Sequence, residues 1–166
     1  MAAILRSAQA SDLPVLTDIY NYYVEHTAYT FDLDPWSLEQ RESWLRGFGL
    51  SGRYRLLVAE VNGRVAGYAS SARFHPKAAY ESSVEVSVYL DGAFAGRGLG
   101  TLLYDRLFEE LSGEDVHRAY AGITVPNPTS VALHEKFGFQ LVARYDEAGR
   151  KFGRYWSVEW FEKRFA

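Results

Sequence analysis

The chain has 166 residues, is 48% hydrophobic and carries a formal net charge of −3, which fits one globular domain with a sizeable core and leaves no electrostatic footprint for nucleic acid. It contains no cysteine, which excludes disulfides, thiol nucleophiles and zinc–thiolate sites, and no metal is expected. The opening residues MAAILRSAQASDL lack a charged and then apolar leader pattern, and no stretch is long enough to span a membrane, so a soluble, cytoplasmic protein with no membrane partner is expected. Aromatic residues make up 16% of the chain, with twelve tyrosines and four tryptophans, more than a small core needs; a pocket or subunit interface would use the surplus.

In chain order, Ala3 to Arg6 reads as a strand. Ser11 is placed to cap a helix with Asp12 and Pro14 in its first turn and with Leu13, Leu16, Ile19, Tyr20 and Tyr23 along one side, ending near Glu25. Residues 26–36 form an aromatic loop without a period. Ser37 and Gln40 make a capping box for a second helix whose apolar side carries Trp44, Leu45 and Phe48. Arg55 to Val61 and Arg64 to Ala72 are strands joined by Asn62-Gly63, a strong hairpin signal. Arg73 to Glu81 is irregular.

Val84, Val86, Val88 and Leu90 then alternate with Glu85, Ser87 and Tyr89, which predicts a strand with two distinct faces. Gly96, Gly98 and Gly100 open a helix in which Leu99, Leu102, Leu103, Leu107 and Leu111 recur at helical spacing. Ala119 to Val125 is another strand, broken by Pro126 and Pro128. A short helix follows from about Thr129 to Phe137, with Gly138 as its C-cap, and two strands, Phe139 to Asp146 and Lys151 to Phe161, turn around Ala148-Gly149. The order β-α-α-β-β-β-α-β-α-β-β predicts a single α/β domain over residues 1–166, with a mixed, mostly antiparallel central sheet flanked by helices.

The chemistry concentrates at the glycine turn. Glycines let backbone approach a ligand, and the free N–H groups of a helix start favour an anion, so a phosphate-bearing guest is expected there. A Walker loop is absent, because no Gly-Lys-Ser/Thr follows. A dinucleotide fold would need an early parallel βαβ unit, and here antiparallel strands come first.

Strand, glycine turn and helix, followed by Asn127, Ser130, Leu133, His134, Gly138 and Phe139 at the spacing N-x-x-S-x-x-L-[YH]-x-x-x-G-F, resemble the GNAT N-acetyltransferase superfamily. AYESSVEVSVYL, the Phe31 loop, LHEKFGF and GRKFGRYW resemble, more narrowly, its phosphinothricin N-acetyltransferase group, over nearly the whole chain. The resemblance implies the GNAT fold, acetyl-CoA as donor, a small amino-acid-like amine as acceptor, a homodimer and a V-shaped cleft beside the central strand. Acceptance of a peptide or protein amine, or a CoA-binding sensor without turnover, are the alternatives. Ala95 stands where the superfamily's turn usually begins with Arg or Gln. Trp156-Ser157 stands where relatives commonly carry a polar residue and then Asp, near the expected substrate side.

On this reading the backbone of Gly96, Arg97, Gly98, Leu99, Gly100 and Thr101 cradles the pyrophosphate, with the Arg97 side chain as a cationic supplement. Val88, Tyr89 and Leu90 hold the pantetheine arm through their backbone, Asn127 and Ser130 line it, and Lys136 approaches a CoA phosphate. An alkylammonium must lose a proton before it can attack, and Glu85 is the expected base. His134 is either an acid for the departing thiolate or a satisfied buried histidine. Phe31, Phe74, His75, Lys77, Tyr80, Glu85 and Ser87 are expected around the acceptor, with Arg73 and Lys77 as candidates to hold a carboxylate.

Overall fold

A computed structural model describes residues 2–165. The elements follow the expected order: β1 (Ala3–Ser7), α1 (Leu13–His26), α2 (Leu38–Leu45), β2 (Arg55–Val61), β3 (Arg64–Arg73), β4 (Ser83–Leu90), α3 (Leu99–Ser112), β5 (Arg118–Val125), α4 (Pro128–Lys136), β6 (Gln140–Lys151) and β7 (Arg154–Arg164). They form one seven-stranded sheet in the order β1-β2-β3-β4-β5-β7-β6. Every neighbouring pair is antiparallel except β4–β5, which is parallel and joined only at Ser83↔Arg118, Val84↔Ala119 and Glu85↔Tyr120. Beyond Glu85 the two strands part, and the edge of β4 that faced β5 is left unpaired. This split makes the V-shaped cleft.

Alternation along β4 sorts its side chains between two layers. Val84 and Val86, with Val88 and Leu90, pack on one face against α3; Tyr89 packs on the other, toward α1 and α2. In α3, Leu99, Leu103, Leu107 and Leu111 are fully buried, and each such leucine contributes on the order of 1.5–3 kcal/mol to folding. Leu102, expected on the same stripe, is 40% exposed, and Tyr104 and Phe108 are buried instead. At about 100° per residue, Leu102 falls roughly 60° outside the arc that residues 99 to 111 present to the sheet.

Two local expectations are corrected. Ser11 does not cap the first helix: Ala10–Asp12 forms a 3-10 turn, in which the Asp12 carboxylate accepts from Gln9 N–H (2.7 Å) and from Arg6 (2.8 and 2.9 Å). The β6–β7 turn falls at Phe152-Gly153, whose positive φ values of 54° and 72° suit a two-residue hairpin. Ala148-Gly149 lies instead within a register shift of β6. Gly149 is needed there for another reason: a Cβ would collide with the Phe31 ring.

Candidate active site

Two cavities open on the split between β4 and β5. The first, of about 320 Å³, lies between β4, β5, the start of α3 and α4; the second, of about 680 Å³, lies between the sheet and the α1–α2 layer. They share Tyr29, Val86, Ser87, Tyr89, Gly122 and Thr124 as walls, so they form one cleft through the parted strands.

The smaller cavity is built largely from backbone. Gly96 and Gly98 have φ of 73° and 78°, the left-handed region where a side chain is strained. Gly98 is the N-cap of α3, and the first helical bond runs from Leu102 N–H to Gly98 C=O (3.1 Å). The amides of residues 96–101 have no protein acceptor among the described backbone bonds, so they are free to bind an anion. Gly100 is buried against the cavity, where an added Cβ would stand 3.3 Å from Leu133 Cδ2. Lys136 Nζ reaches Thr101 Oγ1 (3.4 Å), bringing a cation to the same helix start from α4.

Among the residues expected to hold a cofactor, Val88, Tyr89, Leu90, Gly96, Gly100, Asn127 and Ser130 line this cavity. Arg97, Gly98, Leu99, Thr101 and Lys136 do not. Leu99 is buried in the core, and the Arg97 guanidinium lies over the Phe94 ring (5.5 Å). The Leu90 carbonyl is already taken by Tyr23 O–H (2.7 Å). Asn127 Oδ1 accepts from Ser130 N–H (3.2 Å), so Asn127 caps α4 while it lines the cavity.

His134 is 3% exposed and has partners on both nitrogens. Nδ1 lies 2.7 Å from the Ser130 carbonyl, which can only accept, so Nδ1 carries the proton and Nε2 accepts from Tyr104 O–H (2.9 Å). Burial also pushes the imidazole pKa below its usual value. The imidazole is thus buried, neutral and hydrogen-bonded at both nitrogens, and it lines the smaller cavity.

The larger cavity is aromatic. Tyr20, Tyr29, Phe31, Trp36, Trp44, Tyr68, Tyr89, Tyr145 and Trp160 line it, together with Asp32, Arg41, Ser70, Glu85 and Ser87. Glu85 sits where β4 leaves β5, and burial alone pushes its carboxyl pKa upward. Ser87 Oγ is 3.0 Å from Ser70 Oγ across the β3–β4 ladder. Asp32 accepts from Trp36 Nε1–H (2.9 Å) and from Tyr20 O–H. The lid over this cavity is tied down: Lys151 Nζ donates to the Thr30 carbonyl (2.9 Å), next to Phe31, which rests on Gly149.

Of the residues expected around the acceptor, Phe31, Glu85 and Ser87 line the larger cavity. Phe74, His75, Lys77 and Tyr80 line neither cavity. Phe74 stacks on Tyr120 (4.4 Å), Tyr80 packs on His75 (4.6 Å), and Lys77 is exposed at the start of a 3-10 turn. Arg73 donates to the Pro76 carbonyl (3.3 Å) and is exposed. Trp156-Ser157 also lies outside both cavities, with Trp156 Nε1 bonded to the Lys151 carbonyl (2.9 Å). Arg41 was not expected. Its signal was present, since Arg41, Trp44, Leu45 and Phe48 fall at i, i+3, i+4 and i+7 and a charge therefore interrupts an apolar stripe.

Residues 5–160 match the model of the acetyltransferase (GNAT) domain. The chain belongs to the GNAT acetyltransferase family. It is 48% identical over 161 residues to a phosphinothricin N-acetyltransferase of Streptomyces coelicolor, covering 96% of this chain and 94% of that one. It is 37% identical over 151 residues to an L-methionine sulfoximine/L-methionine sulfone acetyltransferase of Salmonella typhimurium, covering 91% and 88%. Among solved structures, a GNAT superfamily phosphinothricin acetyltransferase from Sinorhizobium meliloti in complex with acetyl-CoA superposes with a TM-score of 0.91 at 32% identity, covering 99% and 89%.

Proposed function

We propose that this chain transfers the acetyl group of acetyl-CoA to the primary amine of a small amino-acid-like substrate, of the phosphinothricin or methionine sulfoximine and sulfone type, by direct transfer with Glu85 as general base. The observation that carries the reading is the single cleft through the split of β4 and β5, with unpaired helix-start amides at one end and a half-buried carboxylate toward the other.

When bound, acetyl-CoA supplies the activated acyl carbon. The residues present fit such a donor. Free amides at the start of α3 and Lys136 beside Thr101 suit phosphate oxygens, and the missing Cβ of Gly100 leaves room at the wall. The unpaired edge of β4 beyond Glu85 offers backbone groups to an extended pantetheine arm. On the acceptor side, Glu85 takes the ammonium proton, and its raised pKa makes it a stronger base than a solvated carboxylate. His134 keeps α4 and α3 in register through Ser130 and Tyr104 and moves no proton.

The tethered Phe31 segment, which walls the aromatic cavity, supports a small acceptor over a peptide. A cytoplasmic location and a homodimer belong to the same proposal, the homodimer supported by exposed Leu141 and Val142 along the edge strand β6. The test is CoA release from acetyl-CoA with phosphinothricin, methionine sulfone, methionine sulfoximine, free amino acids, polyamines and short peptides. Turnover of the amino-acid analogues is expected; turnover only of peptides, or acetyl-CoA binding without turnover, would overturn the reading.

A further inference from the structure

We propose that Arg41 is the residue that selects the acceptor: its guanidinium binds the oxygens of an anionic or sulfonyl group that the substrate carries away from its reacting amine. This rests on the acetyltransferase reading above and adds what the acceptor must contain.

Arg41 is the one arginine, lysine or histidine among the residues lining the larger cavity, and it is 3% exposed. A cation that deep is expected to have a carboxylate partner, because an unpaired buried charge is expensive. Among the described residues it has none: no ion pair involves Arg41, Nη2 donates only to Tyr68 Oη (3.2 Å), and Nε is buried without any partner. The remaining support comes from four ring faces. The guanidinium carbon lies 3.6 Å from the Trp44 ring centre, 4.8 Å from Tyr20, 5.9 Å from Trp36 and 6.0 Å from Tyr68. Aromatic faces hold a guanidinium in place without using its N–H donors.

The carboxylates of the cavity are otherwise engaged. Asp32 receives Tyr20 and Trp36, and Glu85 lies at the other end. Tyr68, which Arg41 touches, is four residues along β3 from Ala72, the partner of Glu85, or about 13 Å of strand. Base and cation therefore mark opposite ends of the cavity, as an acceptor with an amine at one end and an oxyanion at the other requires. A second donor, Trp160 Nε1 on the β7 wall, is likewise buried and unpaired. The loop cations Arg73 and Lys77, the alternatives for this task, are outside the cavity. The planar fork of Arg41 suits a carboxylate, phosphinate or sulfonyl group through two parallel hydrogen bonds.

The experiment compares wild type, Arg41→Gln and Arg41→Lys in steady-state CoA release. The acceptors are phosphinothricin, methionine sulfone, methionine and the α-carboxamide of methionine sulfone. In Arg41→Gln the KM for acceptors bearing the recognised group should rise roughly ten- to hundredfold, the loss expected for a hydrogen-bonded charge, with KM for acetyl-CoA unchanged. Arg41→Lys, which keeps the charge on the rings but not the fork, should fall between. If the penalty persists with the α-carboxamide and vanishes with methionine, the terminal oxygens are the ligand; the reverse pattern puts the contact at the α-carboxylate, beside the reacting amine, and overturns the assignment. An equal loss of kcat/KM for all four acceptors, or no loss, overturns the assignment. Where Arg41→Gln does not fold, a wild type equally active on all four acceptors overturns it as well. Absence of turnover by wild type on any amine removes the transferase reading itself, whereas turnover without discrimination at Arg41 removes only this inference.

Discussion

The cavity between β4, α3 and α4 is made of backbone and of side chains that already have partners, while the cavity under α1 and α2 also holds side chains that lack them. On the first side Asn127 caps α4, His134 is bonded through both nitrogens, and the available groups are amides at a helix start. On the second side Glu85 is shifted by burial alone, and Arg41 Nε and Trp160 Nε1 have no protein partner. Satisfied groups build a socket, and unsatisfied ones wait for a ligand that satisfies them. The first side therefore suits a donor with an invariant handle, and the second suits an acceptor chosen by its own polar groups.

The contrast breaks most visibly at Glu85. Glu85→Gln should lower kcat by roughly 10²–10⁴-fold, the usual worth of a general base, with the dissociation constant for acetyl-CoA unchanged by calorimetry. In wild type, kcat/KM should climb with pH through the raised carboxyl pKa, because only the ionised form accepts a proton. A variant that keeps most of its rate would move the base elsewhere. A smaller effect is expected at Gly100. Gly100→Val presses on Leu133 and narrows the donor cavity, so acetyl-CoA binding should weaken about five- to hundredfold by the usual cost of overpacking, while acceptor KM holds. A change in acceptor KM of the same size would mean that the two cavities are not separable.

Tyr104→Phe examines the satisfied side from within. It leaves His134 Nε2 buried without a donor and should cost about 1–3 kcal/mol of stability by chemical denaturation, with kcat nearly unchanged. A large drop in kcat at unchanged stability would return His134 to the chemistry.

The same contrast explains what the sequence could disclose. The strand, glycine turn and capped helix are backbone devices, and backbone devices need particular residues at fixed offsets: Gly98 at φ 78°, Asn127 one residue before Pro128, alternation along β4. The Ser37–Gln40 capping box was legible for the same reason, and both of its bonds are present. The larger cavity was less so, because its walls come from α1, α2, β3, β4, β5, β6 and β7, and one chain carries no local mark of which aromatics converge. Family likeness places the loop at 73–81 over the substrate; in the fold Phe74, His75, Lys77 and Tyr80 line neither cavity, and Phe74 stacks on Tyr120. The turn at Ala148-Gly149 failed because glycine there serves Phe31 packing and not a reversal of the chain.

The smallest effect expected is thermodynamic, and its sign follows from burial at Glu85. Burial raises the carboxyl pKa of the folded protein above that of the unfolded chain, so the folded state holds this proton more tightly. Below the unfolded value both states are protonated and burial has no electrostatic cost. As pH rises through that value the unfolded chain ionises first, and stability falls until the folded pKa is passed; above it the full penalty remains. Glu85→Gln has the same shape and no charge, so it should melt with wild type near about pH 4 and a little higher than wild type at about pH 8. Paired with lost turnover, that gain would identify a site kept at the expense of stability. If wild type is instead the more stable at the higher pH, Glu85 has a favourable partner in the fold, and the acceptor side is as satisfied as the donor side.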